Sequence, residues 1–373
     1  MPNRSDGRSS PTGSSDDRAP VRRPQVVGVR TTARGGSDSP ARPYAMTDVA
    51  RLAGVSHMTV SRVINDHPHV RPQTRQRVLD AMRKLDFKPN TAARTLASRH
   101  SNMLGIVTVD TTLFGPAAMV YGFEQAARDA GYFVTIATVR SLTSKAVVSA
   151  VNRLREQAVE GIVAIVPDDA GARALKSIAS DLPVIAIGVG DGMDVPTVGV
   201  DNATGAALAT RHLLELGHTT VHHIAGPQSW PEARERLSGW RQALLAAGAP
   251  VPQWLAGDWS ARSGYVLGQQ LVDEAVTAVF CANDHMALGV LRALAEAGRR
   301  VPADVSVVGF DDIPEAPFMI PPLTTVRQDF GALGRHSVDL LRELGAGDDI
   351  DGPRSVRLTP ELKIRRSTAR PRS

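Results

Sequence analysis

The chain has 373 residues, with 43 Lys and Arg against 38 Asp and Glu, and one cysteine. That length exceeds what a single hydrophobic core supports and implies two or three domains, while a lone thiol excludes a disulfide framework and Cys-rich zinc sites. With no apolar run of 18 residues and no hydrophobic signal core in the first 45, the chain reads as a cytoplasmic protein with no membrane partner.

The net charge of +5 is unevenly placed. Residues 1–100 carry 18 Lys/Arg and 8 Asp/Glu, a net of +10, and the remainder carries 25 and 30, a net of −5. A basic front on an acidic body points to a polyanionic partner for the front alone. Residues 1–45 are rich in Ser, Gly, Pro and Arg without apolar periodicity, which predicts a disordered basic tail. An equally open reading starts the protein at Met46, just before the first periodic segment.

From Thr47 to Asn65 the segment TDVARLAGVSHMTVSRVIN reads as a helix-turn-helix. Thr47 is expected to cap a first helix with Val49, Ala50, Leu52 and Ala53 on its apolar side. Gly54 supplies the left-handed residue that ends it, and Val55 fills the corner. Ser56 caps a second helix with Val60, Val63 and Ile64 inward. His57, Met58, Thr59, Ser61 and Arg62 then lie on its outer side near the N-terminus, the end that meets base edges in this motif. Pro72 opens a third helix carrying Val78, Leu79, Met82 and Leu85. These features give an all-α DNA-binding domain over 46–89. Residues 90–100 follow as a short helical connection with Arg94 and Leu96.

From Met103 onward, short apolar runs alternate with amphipathic stretches. LGIVTV, YFVTIAT, GIVAIV and LPVIAIG form one series of buried parallel strands; VHHIAG, TAVFCAN and VSVVGF form a second. The alternation predicts an α/β body of two doubly wound lobes over 101–366, followed by a basic tail over 367–373. One lobe is expected at about 101–188 and 330–355, the other at about 189–326 and 356–366. Ligands of such sheets bind at the carboxyl ends of the strands, here between lobes. Asp168, Arg236, Trp259, Asn283, Asp311 and Gln328 fall at such ends or in adjoining loops. Carboxylates, amides, a guanidinium and an indole suit a polyhydroxylated ligand such as a sugar, because planar groups read vicinal hydroxyls and an aromatic covers the C–H face.

Other constellations carry less. His218, His222 and His223 lead into a buried strand without the Cys or carboxylate that would complete a zinc site. Phosphate-binding glycine loops and nucleophile elbows are missing, and Asp311-Asp312 are adjacent where glycoside hydrolysis needs two separated carboxyls. No enzyme, metal or cofactor is expected. Cys281, among Val279, Phe280 and Ala282, reads as an inert buried thiol.

The segments DVARLAGVSHMTVSRVIND, PNTAARTLA, ERLSGW, GDWSARSG, CANDHMALG, VPADVSVVGFDD and PPLTTVRQDF together resemble the lactose repressor (LacI/GalR) family of bacterial transcription regulators, from about Thr47 to Arg365. The resemblance implies a periplasmic-binding-protein-like body and a homodimer that grips a pseudo-palindromic double-stranded operator and is released when a sugar binds between the lobes. It implies base contacts from His57, Met58 and Arg62, phosphate contacts from Thr59, Ser61, Asn65 and His69, and a minor-groove wedge from Leu96. It places Leu113, Pro116, Asp168, Arg236, Trp259, Asn283, Asp311, Gln328 and Phe330 around the sugar. Against the family pattern, His57-Met58 implies a different half-site, Glu232 replaces a small polar residue, and Phe114 and Ala186 are expected to reshape the apolar wall.

After Arg366 no leucine heptads follow, so a tetramerising coiled coil is not expected; Met286, Leu288, Leu291, Phe318 and Met319 are candidate dimer contacts. Two rival readings stand beside this one. A corepressor or phosphocarrier protein would tighten DNA binding instead. An exported sugar-transport protein of the same fold would need a signal the sequence lacks.

Overall fold

The computed structural model describes residues 44–64, 67–87, 100–109, 112–139, 143–165, 175, 182–188, 195–273, 275–346 and 354–372. The chain divides into two compact units between residues 89 and 90. Most of the expected 1–45 tail and most of the 90–100 connection lie outside the described residues, as do Asn65, Leu96 and Asp168.

The first unit holds α1 (Met46–Ala53), α2 (His57–Ile64) and α3 (Pro72–Lys84) around Val49, Ala53, Val60, Val63, Val78 and Ala81. Burying each larger aliphatic chain contributes about 1.5–3 kcal/mol. Gly54 ends α1 at φ 62°, the left-handed geometry that lets the chain turn into α2. Arg77 of α3 fastens that turn by donating to the carbonyls of Ala53 and Gly54 at 2.6 and 3.2 Å. Two expectations change. Ala45, not Thr47, is the N-cap of α1, because Asp48 reaches back to accept from the Ala45 amide at 2.9 Å. Leu52 is half exposed rather than inward, since three apolar stripes already fill the small core.

The second unit is two parallel-rich sheets, each covered on both faces. The first sheet runs β11-β5-β4-β3-β1-β2, built from β1 (Met103–Thr108), β2 (Phe133–Thr138), β3 (Gly161–Ile165), β4 (Val184–Ile187), β5 (Thr197–Val200) and β11 (Ser355–Leu358). Against it pack α4 (Phe114–Asp129), α5 (Ser144–Glu156) and α10 (Phe330–Gly345). The second sheet runs β12-β10-β9-β8-β6-β7, from β6 (His222–Ala225), β7 (Leu255–Ala256), β8 (Ala278–Cys281), β9 (Ser306–Asp311), β10 (Thr324–Arg327) and β12 (Glu361–Lys363). One face carries α6 (Asn202–Glu215) and α7 (Pro231–Ala246); the other carries α8 (Ala261–Gly268) and α9 (Asp284–Glu296).

The lobe boundary differs from the sequence expectation. β5 pairs with β4 and β11 pairs with β5, so residues 197–200 and 356–358 belong to the first sheet, not the second. The chain therefore crosses between lobes three times: after Val200, after Arg327 and after Leu358. Residues 367–372 are no loose tail either. Ser367 is fully buried, its carbonyl accepts from the Val307 amide, and Ala369 binds Ser306 and His218. Met286, Leu291 and Met319 sit in the second lobe's core, which leaves Leu288 and Phe318 exposed among the proposed dimer contacts.

Helices on each lobe approach through small residues. A Cβ on Gly239 of α7 would stand 2.0 Å from the Ala203 carbonyl oxygen of α6, a clash with backbone that cannot swing away. Gly239→Ala should therefore lower the urea midpoint by about 1–3 kcal/mol of stability despite the better helix propensity. Gly199→Ala meets nothing within 4 Å and should be neutral or stabilising by up to about 1 kcal/mol. Equal midpoints for the two variants would contradict the close approach.

Candidate functional site

The outer face of α2 gathers the reader residues. His57, Met58 and Arg62 are exposed, and Thr59 and Ser61 are partly so. At 64% accessibility, Met58 projects an apolar group that no core claims. The Ser56 hydroxyl caps the helix by accepting from the Thr59 amide at 3.2 Å and shares a 2.9 Å hydrogen bond with the Thr59 hydroxyl. His69 is exposed in the turn before α3. Free polar groups at a helix N-terminus suit phosphates and base edges.

In the second unit a cavity of about 290 Å³ opens between the lobes at the carboxyl ends of their strands. That is near the small end of the range for small-molecule sites. Arg236, on the second turn of α7, is its organising group. Its Nε donates to the Asn202 side chain at 2.9 Å, and its Nη1 donates to the Ala282 carbonyl and lies 3.5 Å from Asp311. The guanidinium sits over the Phe310 ring at 3.8 Å and the Trp259 ring at 5.5 Å. Asp311 also accepts from Gln328 Nε2 at 2.7 Å.

Burial raises the Asp311 carboxyl to about 6 against the pull of Arg236 and Gln328, which leaves it ionised at neutral pH. Burial also lowers the guanidinium from its ordinary value, opposed by Asp311, and an arginine remains charged. The β9 end that carries Asp311 is bent: Asp311 and Asp312 have φ of 113° and 55°. Asp284 of α9 clamps that bend, accepting from the Ile313 amide at 2.9 Å and the Thr325 hydroxyl at 2.6 Å.

Most of the expected cleft residues come together. Leu113, Pro116, Arg236, Trp259, Asn283, Asp311 and Gln328 line the cavity. Asn283 spends much of its amide on structure, capping α9 through the Met286 amide and donating to the Trp259 carbonyl at 3.0 Å. It thereby holds Trp259 at φ 72°. Phe330 stands behind the lining, its ring edge-on to Phe114 at 6.0 Å. Ala186 is not part of the wall. Successive strand residues face opposite ways, so Ile187 reaches the cleft while Ala186 packs beneath α5.

Trp230, Glu232, His285, Met119, Ile165 and Ile187 also line the cavity. Strand ends Ile165 and Ile187 were legible as such, but Trp230 and Glu232 precede or open a helix whose tilt the sequence does not give. Among the described residues no cluster of metal-ligating side chains occurs. His218 and His223 are instead bound to Thr277 and the Phe280 carbonyl, with His223 stacked between Trp240 and Phe280. No described helix is long and apolar enough to cross a membrane.

Residues 45–90 match the lacI family of bacterial regulatory proteins, and residues 210–368 match the periplasmic binding protein-like domain. The lactose operon repressor of Escherichia coli is 38% identical over 88% of this chain and 91% of its own length. The regulator CelR of Thermobifida fusca is 37% identical over 86% and 96%. The chain belongs to the lacI family. Among solved structures, the lac repressor dimer bound to operator and the anti-inducer ONPF superposes with a TM-score of 0.78 at 37% identity, covering 88% of this chain and all of that one. A CelR–cellobiose complex superposes at 0.65 with 34% identity, covering 87% and 99%. The protein is a DNA-binding transcription regulator with a helix-turn-helix unit and a two-lobed α/β body.

Within this family member, the Glu232 carboxyl is displaced far from its ordinary value of 4.5. Full burial raises it to about 8, outweighing Arg236 and Arg234 and aided by Glu235. A raised acid binds its proton more tightly folded than unfolded, so its contribution to stability is greatest below pH 4.5 and falls as pH climbs toward 8. Thermal unfolding of the ligand-free protein should thus lose up to about 1.4 kcal/mol per pH unit in that window on account of this group. Glu232→Gln should flatten the slope; an unchanged slope would show the carboxyl already ionised.

Proposed function

We propose that this chain is a carbohydrate-responsive repressor: a homodimer that holds a pseudo-palindromic operator and lets go when a sugar occupies the interlobe cavity. The observation that carries this reading is the paired Arg236–Asp311 group beneath the Trp259 ring, a fork of donors and acceptors beside an aromatic face. Cellobiose in the CelR complex and ONPG in the lac repressor point to a glycoside. His57, Met58 and Arg62 would read bases, Thr59, Ser61, Asn65 and His69 would hold phosphates, and Leu96 would be the wedge at the operator centre. Residues 46–89 serve as reader, 90–100 as connection and the remainder as sensor. The protein acts in the cytoplasm, on the nucleoid.

Binding, not catalysis, is the role we assign to the cavity. Asp311 is engaged by Arg236 and Gln328, and its neighbour Asp312 is tied to Arg365. Neither is left as an acid–base pair across a scissile bond. A sugar shifts the DNA-binding equilibrium only through its different affinity for the two lobe arrangements.

A duplex selected from a random pool, labelled and followed by fluorescence anisotropy, tests this reading. Cellobiose or a β-galactoside should release it from the parent protein. Arg236→Lys keeps the charge that Asp311 needs but loses the planar fork, and should raise the sugar concentration for half-release roughly 10–100-fold. Its duplex affinity without sugar should match the parent's. Tightened binding on adding sugar would make the ligand a corepressor, and an unaltered response in Arg236→Lys would remove Arg236 from the sugar site.

A further inference from the structure

Glu232 is buried at the seam of the two lobes. It follows Pro231 on the first turn of α7, in the second lobe, yet its head lies against the first: a Cβ on Gly188, just past β4, would stand 2.6 Å from Glu232 Oε1, and Met119 of α4 borders the same spot. Ile165, Ile187 and Met119 line the cavity beside it. Its Oε2 is buried without a hydrogen-bond partner, and among the described residues no cation pairs with it. The nearby charges are committed elsewhere. Arg234 donates to the Gln228 carbonyl, Glu235 binds Arg357, and Arg236 serves Asn202, Ala282 and Asp311.

A buried acceptor with no partner lowers the stability of the free protein. Such a group persists where something else completes it, and the cavity that Glu232 lines is where such a partner can enter. We propose that Glu232 reads the ligand: its carboxyl hydrogen-bonds a hydroxyl at the end of a carbohydrate that lies against the first lobe, and it selects sugars bearing that hydroxyl over deoxy and amino analogues. This rests on the reading of the cavity as a carbohydrate site.

The hydroxyl is favoured over an ammonium by the state of the acid. Burial holds it protonated at neutral pH, and a neutral carboxyl both donates and accepts, as a hydroxyl does. An ammonium only donates and would demand an ionised partner. It would also sit beside the Arg236 guanidinium one turn along the same helix. A site built for a hydroxyl rejects the analogue lacking it because its own polar group is then stranded.

Calorimetric titration of the full chain with D-galactose, D-glucose, their methyl β-glycosides and cellobiose tests the proposal. Each monodeoxy and aminodeoxy analogue of whichever sugar binds follows. The parent should discriminate against one deoxy position by roughly 10–100-fold. Glu232→Leu should bind that deoxy analogue and its hydroxy parent alike, while Glu232→Gln, with a donor and an acceptor, keeps the preference. Melting temperatures of both variants at or above the parent's would show them folded, and Glu232→Ala replaces Glu232→Leu should the latter fail to fold. Full discrimination at every position in Glu232→Leu overturns the proposal while leaving the sugar reading intact, as does tighter binding of an aminodeoxy analogue. If the parent binds none of the sugars, the sugar reading itself fails and this inference with it.

Discussion

A guanidinium taken out of water must be paired and fully hydrogen-bonded, or it would unfold what surrounds it. Arg236 meets that demand by drawing partners from both the cavity and the chain's crossings between lobes. Asn202, which accepts from it, stands at the first crossing, just after Val200. Gln328, which binds its partner Asp311, stands at the second. The preceding residue of the helix, Glu235, binds Arg357 near the third crossing, where the Asp201 amide also donates to the Leu358 carbonyl. One buried ion pair thus faces the ligand on one side and two interlobe connections on the other, and Asn202, which also donates to Glu235 at 3.4 Å, links it to the third. Groups in such a network do not move independently, because each loses its partner if another shifts.

The cavity is also where the fold tolerates cost. Trp259, Asp311 and Asp312 hold positive φ, and the Glu232 Oε2 and Trp259 Nε1 atoms are buried without partners. Each strained residue costs on the order of 1–3 kcal/mol, and each orphaned group a similar amount. Away from the cavity, Asn102 and Ala158 also hold positive φ and Thr108, His222 and His223 carry buried atoms without partners, while most strands are apolar and covered on both faces and glycines stand where backbones touch. Three strained residues and two unpartnered buried atoms around one cavity are what a binding site that waits for its ligand can hold.

Much of this was legible in the sequence. Gly54, Ser56 and Pro72 punctuate the reader as their backbone chemistry dictates, and the long apolar strands announced both sheets. Others did not. β5, β10 and β11 have four residues each, as β4, β6 and β8 do, but their sequences TVGV, TTVR and SVRL carry Thr, Gly, Ser or Arg and form no apolar run, so a boundary at 189 falls short of Val200, to which pairing extends the first sheet. The 367–372 segment looked like a basic tail because its Arg residues mask Ser367 and Thr368, which supply hydrogen bonds to β10. Cleft residues at strand ends were found by topology alone. Glu232 and Trp230 lie instead at the start of α7, and only the tilt of that helix brings them to the cavity. Asn283 shows the opposite case: the position was right, but capping uses most of its hydrogen-bonding capacity.

Amide hydrogen exchange by mass spectrometry, with and without a carbohydrate that releases the operator, tests most directly whether cavity and crossings act as one. Occupancy should slow exchange around Arg236 and Trp259 and also change it at 198–204, 326–332 and 356–362, the three connections tied to the ion pair. Protection confined to the cavity rim, with those connections unaltered, would contradict the account.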